Sequence, residues 1–173
     1  MKKVLYFLFA LGFIIWFGGS IVRNVIIFDL FVPAQELTFE PKYDDSIINY
    51  NIELYVATSL YTNVSYAVIF VISLILLYSE RRNLRQHGWL FMSFIVFFIA
   101  SPIIIYNIYL DLGLSFAIFY HDFSFLNYGI KTEIFNRYKS NLNTVLSGIS
   151  YLSTITILFY IIWKPLKNPN DKT

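Results

Sequence analysis

The sequence predicts an all-α integral membrane protein with four transmembrane helices and an extracytoplasmic cap built from two long loops. Charged residues make up only 14% of the chain, whereas a soluble domain carries about a quarter. Four apolar segments of roughly twenty residues, the length that crosses a bilayer, contain no Asp, Glu, Lys, Arg or His. Basic residues concentrate in the short segments outside these four. At 173 residues, the chain is expected to form a single membrane domain.

The four predicted spans cover residues 4–22, 56–78, 89–110 and 142–163. The first span follows Lys2 and Lys3 and contains "GGS", a pattern that also resembles a secretory signal with cleavage after Ser20. Apolar character continues beyond that point through "IVRNVIIFDLFV". We therefore expect a retained span whose helix projects beyond the membrane until Pro33 stops it.

The distribution of basic residues predicts the orientation of the chain. Positive side chains near spans stay on the cytoplasmic side. The N-terminal segment, the 79–88 gap and the C-terminal segment hold eight of the thirteen basic residues, whereas loops 23–55 and 111–141 hold five basic and nine acidic residues. Both termini are therefore expected in the cytoplasm, with Arg81, Arg82 and Arg85 as topology anchors or, alternatively, as a docking site for a cytoplasmic partner.

Polar side chains gather in the outer halves of the predicted spans, while the inner halves are almost purely apolar. In spans two and four they recur at three- and four-residue spacing, which places them on one helical face. The first stripe comprises Ser59, Thr62, Asn63 and Tyr66, and the second Asn143, Ser147, Ser150 and Thr154. Span three carries Asn107 shortly before Asp111. These residues predict a polar region at the outer end of the bundle.

Two interpretations of this region remain open at the level of sequence. Small and hydroxyl residues allow helices to pack closely and to hydrogen-bond across their interface. Alternatively, polar groups at membrane depth line a cavity filled with water or ligand. The candidate ligand-binding residues of such a cavity are Ser59, Asn63, Asn107, Asp111, His121, Asp122 and Ser150.

The two long loops carry weaker signals. Residues 111–130 are too apolar for an ordinary linker, and we expect an interfacial or re-entrant helix there. The alternating "ELTFEPKY" predicts a short strand. The Asp44-Asp45-Ser46 sequence lacks the ligand spacing of a calcium loop, so we expect a solvated acidic turn. His121-Asp122 is the only neighbouring imidazole–carboxylate pair, and a structural role is expected for it.

Several classes of function are disfavoured by composition. The chain has no cysteine, which excludes disulfides, thiolate metal sites and thiol catalysis. A net charge of +2 without a basic run does not predict nucleic-acid binding. The two histidines, His87 and His121, are expected on opposite sides of the membrane, which excludes haem held between them. No phosphate-binding, zinc or nucleophile motif is present, so no cofactor or metal is predicted.

The leading functional hypothesis is a non-enzymatic accessory or interaction subunit of a membrane assembly. Its partners are the lipid bilayer and either another membrane protein or a second copy of the chain. On this hypothesis, Gly148→Leu and Ser59→Leu disturb assembly. The alternatives are an outward-facing binding protein or enzyme acting on a lipid, quinone or other amphiphile, and an immunity or resistance membrane protein. A cysteine-free chain of this size without an organelle-targeting peptide is expected in a bacterial inner membrane, with the endoplasmic reticulum as the alternative.

Overall fold

The computed structural model describes residues 2–32, 38–85, 87–120 and 128–165. Within these ranges the chain forms five α-helices and a 3-10 turn at Asn83–Arg85. The helices are α1 (Lys2–Phe28), α2 (Asp45–Glu80), α3 (Gly88–Tyr120), α4 (Tyr128–Lys139) and α5 (Asn141–Trp163). Of the helices described, α1, α2, α3 and α5 are long and apolar enough to cross a membrane. The predicted all-α membrane fold is confirmed.

The long helices form an antiparallel bundle with two chemically different ends. Helix α1 packs along α2, α2 contacts α3, and α3 packs along α5. We call the "loop end" the end where α1 and α3 finish and where α2 and α5 begin. The opposite "termini end" brings the start of α3 next to the end of α5, with the Lys164 Nζ 5.5 Å from the centre of the Trp89 ring.

Each long helix contains its predicted span, but α2 and α3 run well beyond theirs at the loop end. Helix α2 begins at Asp45 because Asp44 caps it, accepting hydrogen bonds at 2.9 Å from the Ile47 backbone N–H and from the Ser46 hydroxyl. Asp45 forms an ion pair with Lys131 of α4 at 2.7 Å. The acidic turn therefore starts a helix and ties α2 to α4.

The expected interfacial helix over 111–130 is wrong for its first half, because residues 111–120 continue α3. The reason lies in helical spacing: Asp111, Leu114, Ser115 and Ile118 are all buried, and they recur every three or four residues on one face. Leu114 and Ile118 belong to an apolar cluster at the loop end together with Ile134 of α4. The cap is thus built largely from helix extensions and α4.

The first loop also departs from the prediction. Helix α1 ends at Phe28, before Pro33, and backbone bonds from Leu30 to Ile27 and from Phe31 to Phe28 tighten its exit into a turn. Of the proposed strand "ELTFEPKY", the described part shows one isolated bridge, between Phe31 and Phe39. Pro33 itself lies outside the described residues.

The predicted polar stripe of α2 faces the interior, since Ser59, Thr62, Asn63 and Tyr66 are all buried. Halfway along the bundle an aromatic layer crosses it, with the Tyr66 ring 5.3 Å from Trp16 and 6.2 Å from Phe97, measured between ring centres. The Tyr66 hydroxyl donates to the Ser101 hydroxyl at 2.9 Å. This layer separates the interior of the loop end from that of the termini end.

Candidate functional site

Three charged side chains form a cluster at the loop end, where Arg23 and Asp111 are buried and Arg137 is half-buried. Asp111 on α3 is 3% exposed, and its two oxygens accept hydrogen bonds from Nη1 and Nη2 of Arg23 on α1, both at 2.8 Å. Arg137 on α4 donates its Nη1 to the Asp111 Oδ1 at 2.6 Å. The fork of Arg23 matches the carboxylate geometry, which makes this the strong class of ion pair. Both oxygens of Asp111 are engaged, so the carboxylate holds two arginines in place.

Arg23 lies deep enough to need further compensation for its burial. Its guanidinium carbon is 4.5 Å from the centre of the Tyr55 ring, which supplies a cation–π contact, and its Nη1 is 3.4 Å from the Thr62 hydroxyl. The Nε of Arg23 is buried and has no hydrogen-bond partner among the described residues. One donor of this guanidinium is therefore left unused.

A cavity of about 260 Å³ adjoins the ion cluster. All five helices contribute to its wall, and the polar part of the wall consists mainly of amides, hydroxyls and the three charged groups. Representative lining residues outside the cluster are Trp16, Asn63, Asn107, Asn143, Ser150 and Tyr151. The Nδ2 of Asn63 is buried without a hydrogen-bond partner in the described part of the chain. Arg23 and Asn63 both line the cavity, but these two N–H groups are themselves buried beneath its surface.

Tyr151 joins α1 to α5 on one side of this cavity. Its hydroxyl accepts a hydrogen bond from the Asn24 amide at 2.5 Å and donates to the Ser20 carbonyl at 3.3 Å. Beside it runs an apolar groove lined mainly by Phe17, Ile21, Val25 and Phe28 of α1. The groove and the cavity share Asn24, Phe28 and Tyr151 as lining residues, so the two spaces are adjacent, with these side chains in the wall of both.

Tyr138, which lies beside the cluster, does not add negative charge to it. The Tyr138 hydroxyl donates to the Tyr55 hydroxyl at 3.2 Å. Burial, reinforced by Tyr55, raises the pKa of Tyr138 well above its ordinary value of 10.0, although Arg137 and Arg23 act in the opposite direction. The phenol therefore stays neutral at physiological pH. Among the described residues that line the cavity, two guanidinium groups face one carboxylate.

The structure gathers four of the seven predicted site residues around one cavity: Asn63, Asn107, Asp111 and Ser150. Ser59 does not line it. Its hydroxyl donates to the Val56 carbonyl at 2.6 Å and lies 3.5 Å from the Ser115 hydroxyl, between α2 and α3. His121 and Asp122 lie outside the described residues.

Sequence reasoning missed the two residues that give the site its charge, Arg23 and Arg137. The available signal was the depth of Arg23, which follows the first apolar span at the same expected level as Asp111 follows the third. A charge at this depth normally has a partner. Arg137 carried no comparable signal, because it sits in a polar helix with several exposed charged residues.

The chemistry that this arrangement offers is recognition by N–H donors and positive charge. Asp111 is held by two guanidinium groups and is therefore poorly placed to act as a general base. In the described part of the chain, no group of three or more histidine, aspartate or glutamate residues is arranged to hold a metal ion. No family model, curated protein or solved structure matches this chain.

Proposed function

We propose that this protein binds an amphiphilic molecule within the membrane, in the cavity at the loop end. The observation that carries this proposal is that two unlike spaces lie next to each other. A polar, charged cavity inside the bundle shares part of its wall with an apolar groove on the flank of α1. A molecule with a polar head and an apolar tail has the same two characters. Of the functions predicted from the sequence, the amphiphile-binding alternative fits this geometry best.

The energetics of the ion cluster favour a binding role over simple helix packing. Taking charged groups out of water costs several kcal/mol per ion, and well-packed apolar residues of similar volume often stabilise a fold as well or better. The Arg23–Asp111–Arg137 cluster is therefore an expensive way to join α1, α3 and α4. Its presence beside a cavity is explained if the charges also meet a ligand.

The proposed setting is a bacterial inner membrane, with both termini in the cytoplasm and the loop end outside. Exposed Arg81 and Arg82 follow α2 at the termini end, as the positive-inside rule requires. Since the chain contains no cysteine, single cysteines report their own side. Thr132→Cys should react with an impermeant thiol reagent in intact cells, and Ser79→Cys only after permeabilisation. The reverse pattern would invert the proposed orientation.

The cavity itself is tested by single cysteines at Asn63, Asn107 and Ser150. All three line it, so the same reagent should reach them from the outside. Ser93→Cys is the matched control, because Ser93 lines the apolar cavity at the termini end and should stay protected. A ligand of the site should slow labelling at 63, 107 and 150 alike. Protection of all three in the empty protein would remove the water-accessible cavity.

A second candidate is the interaction subunit that the sequence also favours. It is supported by α5, where a side chain added at Gly148 would meet nothing within 4 Å. That position is exposed and offers close approach to another helix. It also lines the loop-end cavity, so ligand binding is measured on the same variant. Gly148→Leu should then reduce association with a partner, measured by co-purification from native membranes, without unfolding the chain. Ser59→Leu is a poor test, because Ser59 is 1% exposed and the larger side chain would disrupt the protein's own core.

A further inference from the structure

We infer that the amphiphile is anionic: an oxyanion headgroup, carboxylate or phosphate, binds at Arg23 and Arg137, and a single apolar tail lies in the groove beside Tyr151. This assignment rests on the proposed function and specifies its ligand. Two observations support it independently, the balance of charge in the cavity and the position of the groove, and the chemical type of two buried N–H groups beside the cavity agrees with it.

The balance of charge favours an anion. Two arginines share one carboxylate in the described wall of the cavity, which leaves one positive charge in excess. Because the interior has a low dielectric constant, an excess charge is costly until a counter-charge reaches it. A cationic headgroup would add to the excess, and a neutral one would leave it unchanged. An oxyanion forms charge-assisted hydrogen bonds with guanidinium groups.

The unsatisfied atoms of the two cavity-lining residues, Arg23 and Asn63, have one chemical type. Arg23 and Asn63 are each only 8% exposed, both line the cavity, and their orphan atoms, Nε and Nδ2, are N–H donors. A buried donor without an acceptor costs about 1–3 kcal/mol. Both atoms lie beneath the surface of the cavity, so their side chains must shift before a ligand oxygen can reach them. Carboxylate and phosphate oxygens, which only accept hydrogen bonds, match such donors.

The groove distinguishes an amphiphile from a free ion. Ile21 and Val25 of its wall are 46% and 65% exposed, so in a bilayer this flank of α1 faces lipid tails. Helices α1 and α5 approach each other at few points, and Tyr151 provides the hydrogen bonds between them. A tail can thus lie between the cavity and the bilayer on this side. A free anion has no apolar tail to occupy this groove.

Binding is measurable through Trp16, which lines the cavity. The chain has three tryptophans, and Trp89→Phe with Trp163→Phe leaves Trp16 as the sole fluorophore in the full-length protein. The protein is placed in nanodiscs of phosphatidylcholine. The probe is dodecyl phosphate carrying a nitroxide next to its headgroup, which quenches nearby tryptophan. Unlabelled competitors are dodecyl phosphate, dodecanoate, dodecyl glycerol ether, dodecyltrimethylammonium and inorganic phosphate.

The decisive variant is Arg137→Gln, which removes the excess charge and leaves the forked Arg23–Asp111 pair intact. We expect its affinity for dodecyl phosphate and dodecanoate to fall about tenfold, as the loss of a charge-assisted hydrogen bond implies. Lys131→Gln is the matched control: it lies on the same helix and loses the same charge, but its partner is Asp45. Its affinity should stay within about twofold of the parent.

The outcomes distinguish a failure of the anionic-headgroup inference from a failure of the proposed function. If the neutral ether or the cation competes as well as dodecyl phosphate, or if Arg137→Gln binds like the parent, the anionic headgroup is wrong while amphiphile binding stands. If inorganic phosphate competes as well as dodecyl phosphate, the tail assignment is wrong and the site takes a free anion. If no amphiphile, anionic, neutral or cationic, is bound near Trp16, the proposed function itself fails.

Discussion

The two ends of the bundle contain cavities of similar size and opposite chemistry. The loop-end cavity measures about 260 Å³, and the termini-end cavity about 290 Å³. The termini-end cavity is lined mainly by apolar side chains, among them Phe9, Leu76, Trp89, Phe97 and Ile161. Its two serines are satisfied within their own helices, because Ser73 and Ser93 donate to the Phe70 and Trp89 carbonyls at 2.7 and 2.9 Å.

This difference shows that polarity, rather than volume, separates a candidate site from a gap in packing. An apolar cavity whose few hydroxyls already have hydrogen-bond partners does not favour a ligand of any particular chemistry. The loop-end cavity is instead lined by an excess positive charge, and two of its lining residues, Arg23 and Asn63, carry buried unsatisfied donors. The aromatic layer of Trp16, Tyr66 and Phe97 keeps the two spaces apart, so substitutions at one end can be compared with matched substitutions at the other.

The largest expected effect is that of Asp111→Asn. The substitution leaves the buried Arg23 and the half-buried Arg137 without their carboxylate, and removal of one partner from a buried ion pair costs about 3–5 kcal/mol. The free energy of unfolding, measured in mixed micelles by circular dichroism, should fall by this amount. Asp45→Asn is the control, because Asp45 is 88% exposed in its pair with Lys131, and it should cost less than about 1 kcal/mol. Equal losses would show that the Arg23–Asp111–Arg137 cluster is no more coupled to the fold than a surface pair.

The next effect is steric and concerns how closely α1 approaches α2. A Cβ added at Gly19, toward the loop end, would overlap the Thr62 side chain and lie 2.7 Å from the Tyr61 ring, whereas one at Gly12 would meet the Ile69 Cγ1 at 3.0 Å, a much smaller overlap. Gly19→Ala should therefore destabilise by about 1–3 kcal/mol. Gly12→Ala should cost less, because the gain in helix propensity, about 1 kcal/mol, offsets part of the strain.

Gly18→Ala supplies the control for this pair, since nothing lies within 4 Å of its Cβ position. The free energy of unfolding of Gly18→Ala should reflect only the gain in helix propensity. If Gly19→Ala behaved like Gly18→Ala in the same unfolding assay, the close approach of α1 and α2 at the loop end would be contradicted.

The sequence predicted the spans and the inward faces because both depend on local pattern. Apolar length and helical period are read along one segment, and the stripe containing Asn63 and Tyr66 is buried as expected. The same pattern could not tell Ser59 from Asn63. They lie one turn apart on one face, yet the first meets Ser115 of α3 and the second lines the cavity. A periodic pattern predicts which face of a helix is buried, but it does not predict which residue of another helix lies opposite that face.

The Arg23–Asp111–Arg137 cluster could not be predicted from the sequence, for a related reason. Arg23 and Asp111 are 88 positions apart, and their contact depends on where α3 ends. That end was placed at 110, which put Asp111 in a loop, whereas the helix runs to Tyr120. The position of Arg137 depends in turn on α4 lying across the loop end. Each step is a tertiary contact, and one sequence contains no direct record of such contacts.

The environment of the loop end also predicts a pH dependence. Burial raises the pKa of Tyr138 well above 10.0 in the folded protein, so above about pH 10 the unfolded chain releases this proton while the folded chain retains it. The protonated Tyr138 therefore makes a contribution to the free energy of unfolding that is fully present below pH 10. This contribution is lost as the pH rises, by up to about 1.4 kcal/mol per pH unit. Tyr138→Phe should remove this part of the decrease in unfolding free energy at alkaline pH.

The control for Tyr138→Phe is Tyr50→Phe, since Tyr50 is 66% exposed. It should leave the alkaline slope of the unfolding free energy close to that of the parent protein. If the two variants had the same slope, the loop end would be no more shielded from water around Tyr138 than the exposed surface is.

The smallest effect has the opposite sign and bears most directly on why the two ends differ. Asn63→Leu replaces a buried amide that has an unsatisfied donor with an apolar side chain of similar volume. Because an unsatisfied donor costs about 1–3 kcal/mol, the empty protein should become more stable by about 1 kcal/mol, while its affinity for the dodecyl phosphate probe falls. Ser93→Ala at the termini end should change neither quantity, since the Ser93 hydroxyl is already satisfied.

A rise in stability together with a loss of binding would mark Asn63 as a residue kept for its ligand at the expense of the fold, the usual trade-off at functional sites. A loss of stability would mean that its amide is already satisfied in the empty protein, and the loop-end cavity would then differ from the termini-end cavity in polarity but not in its need for an occupant. The sign of this one change therefore decides whether the contrast between the two ends is a contrast in function.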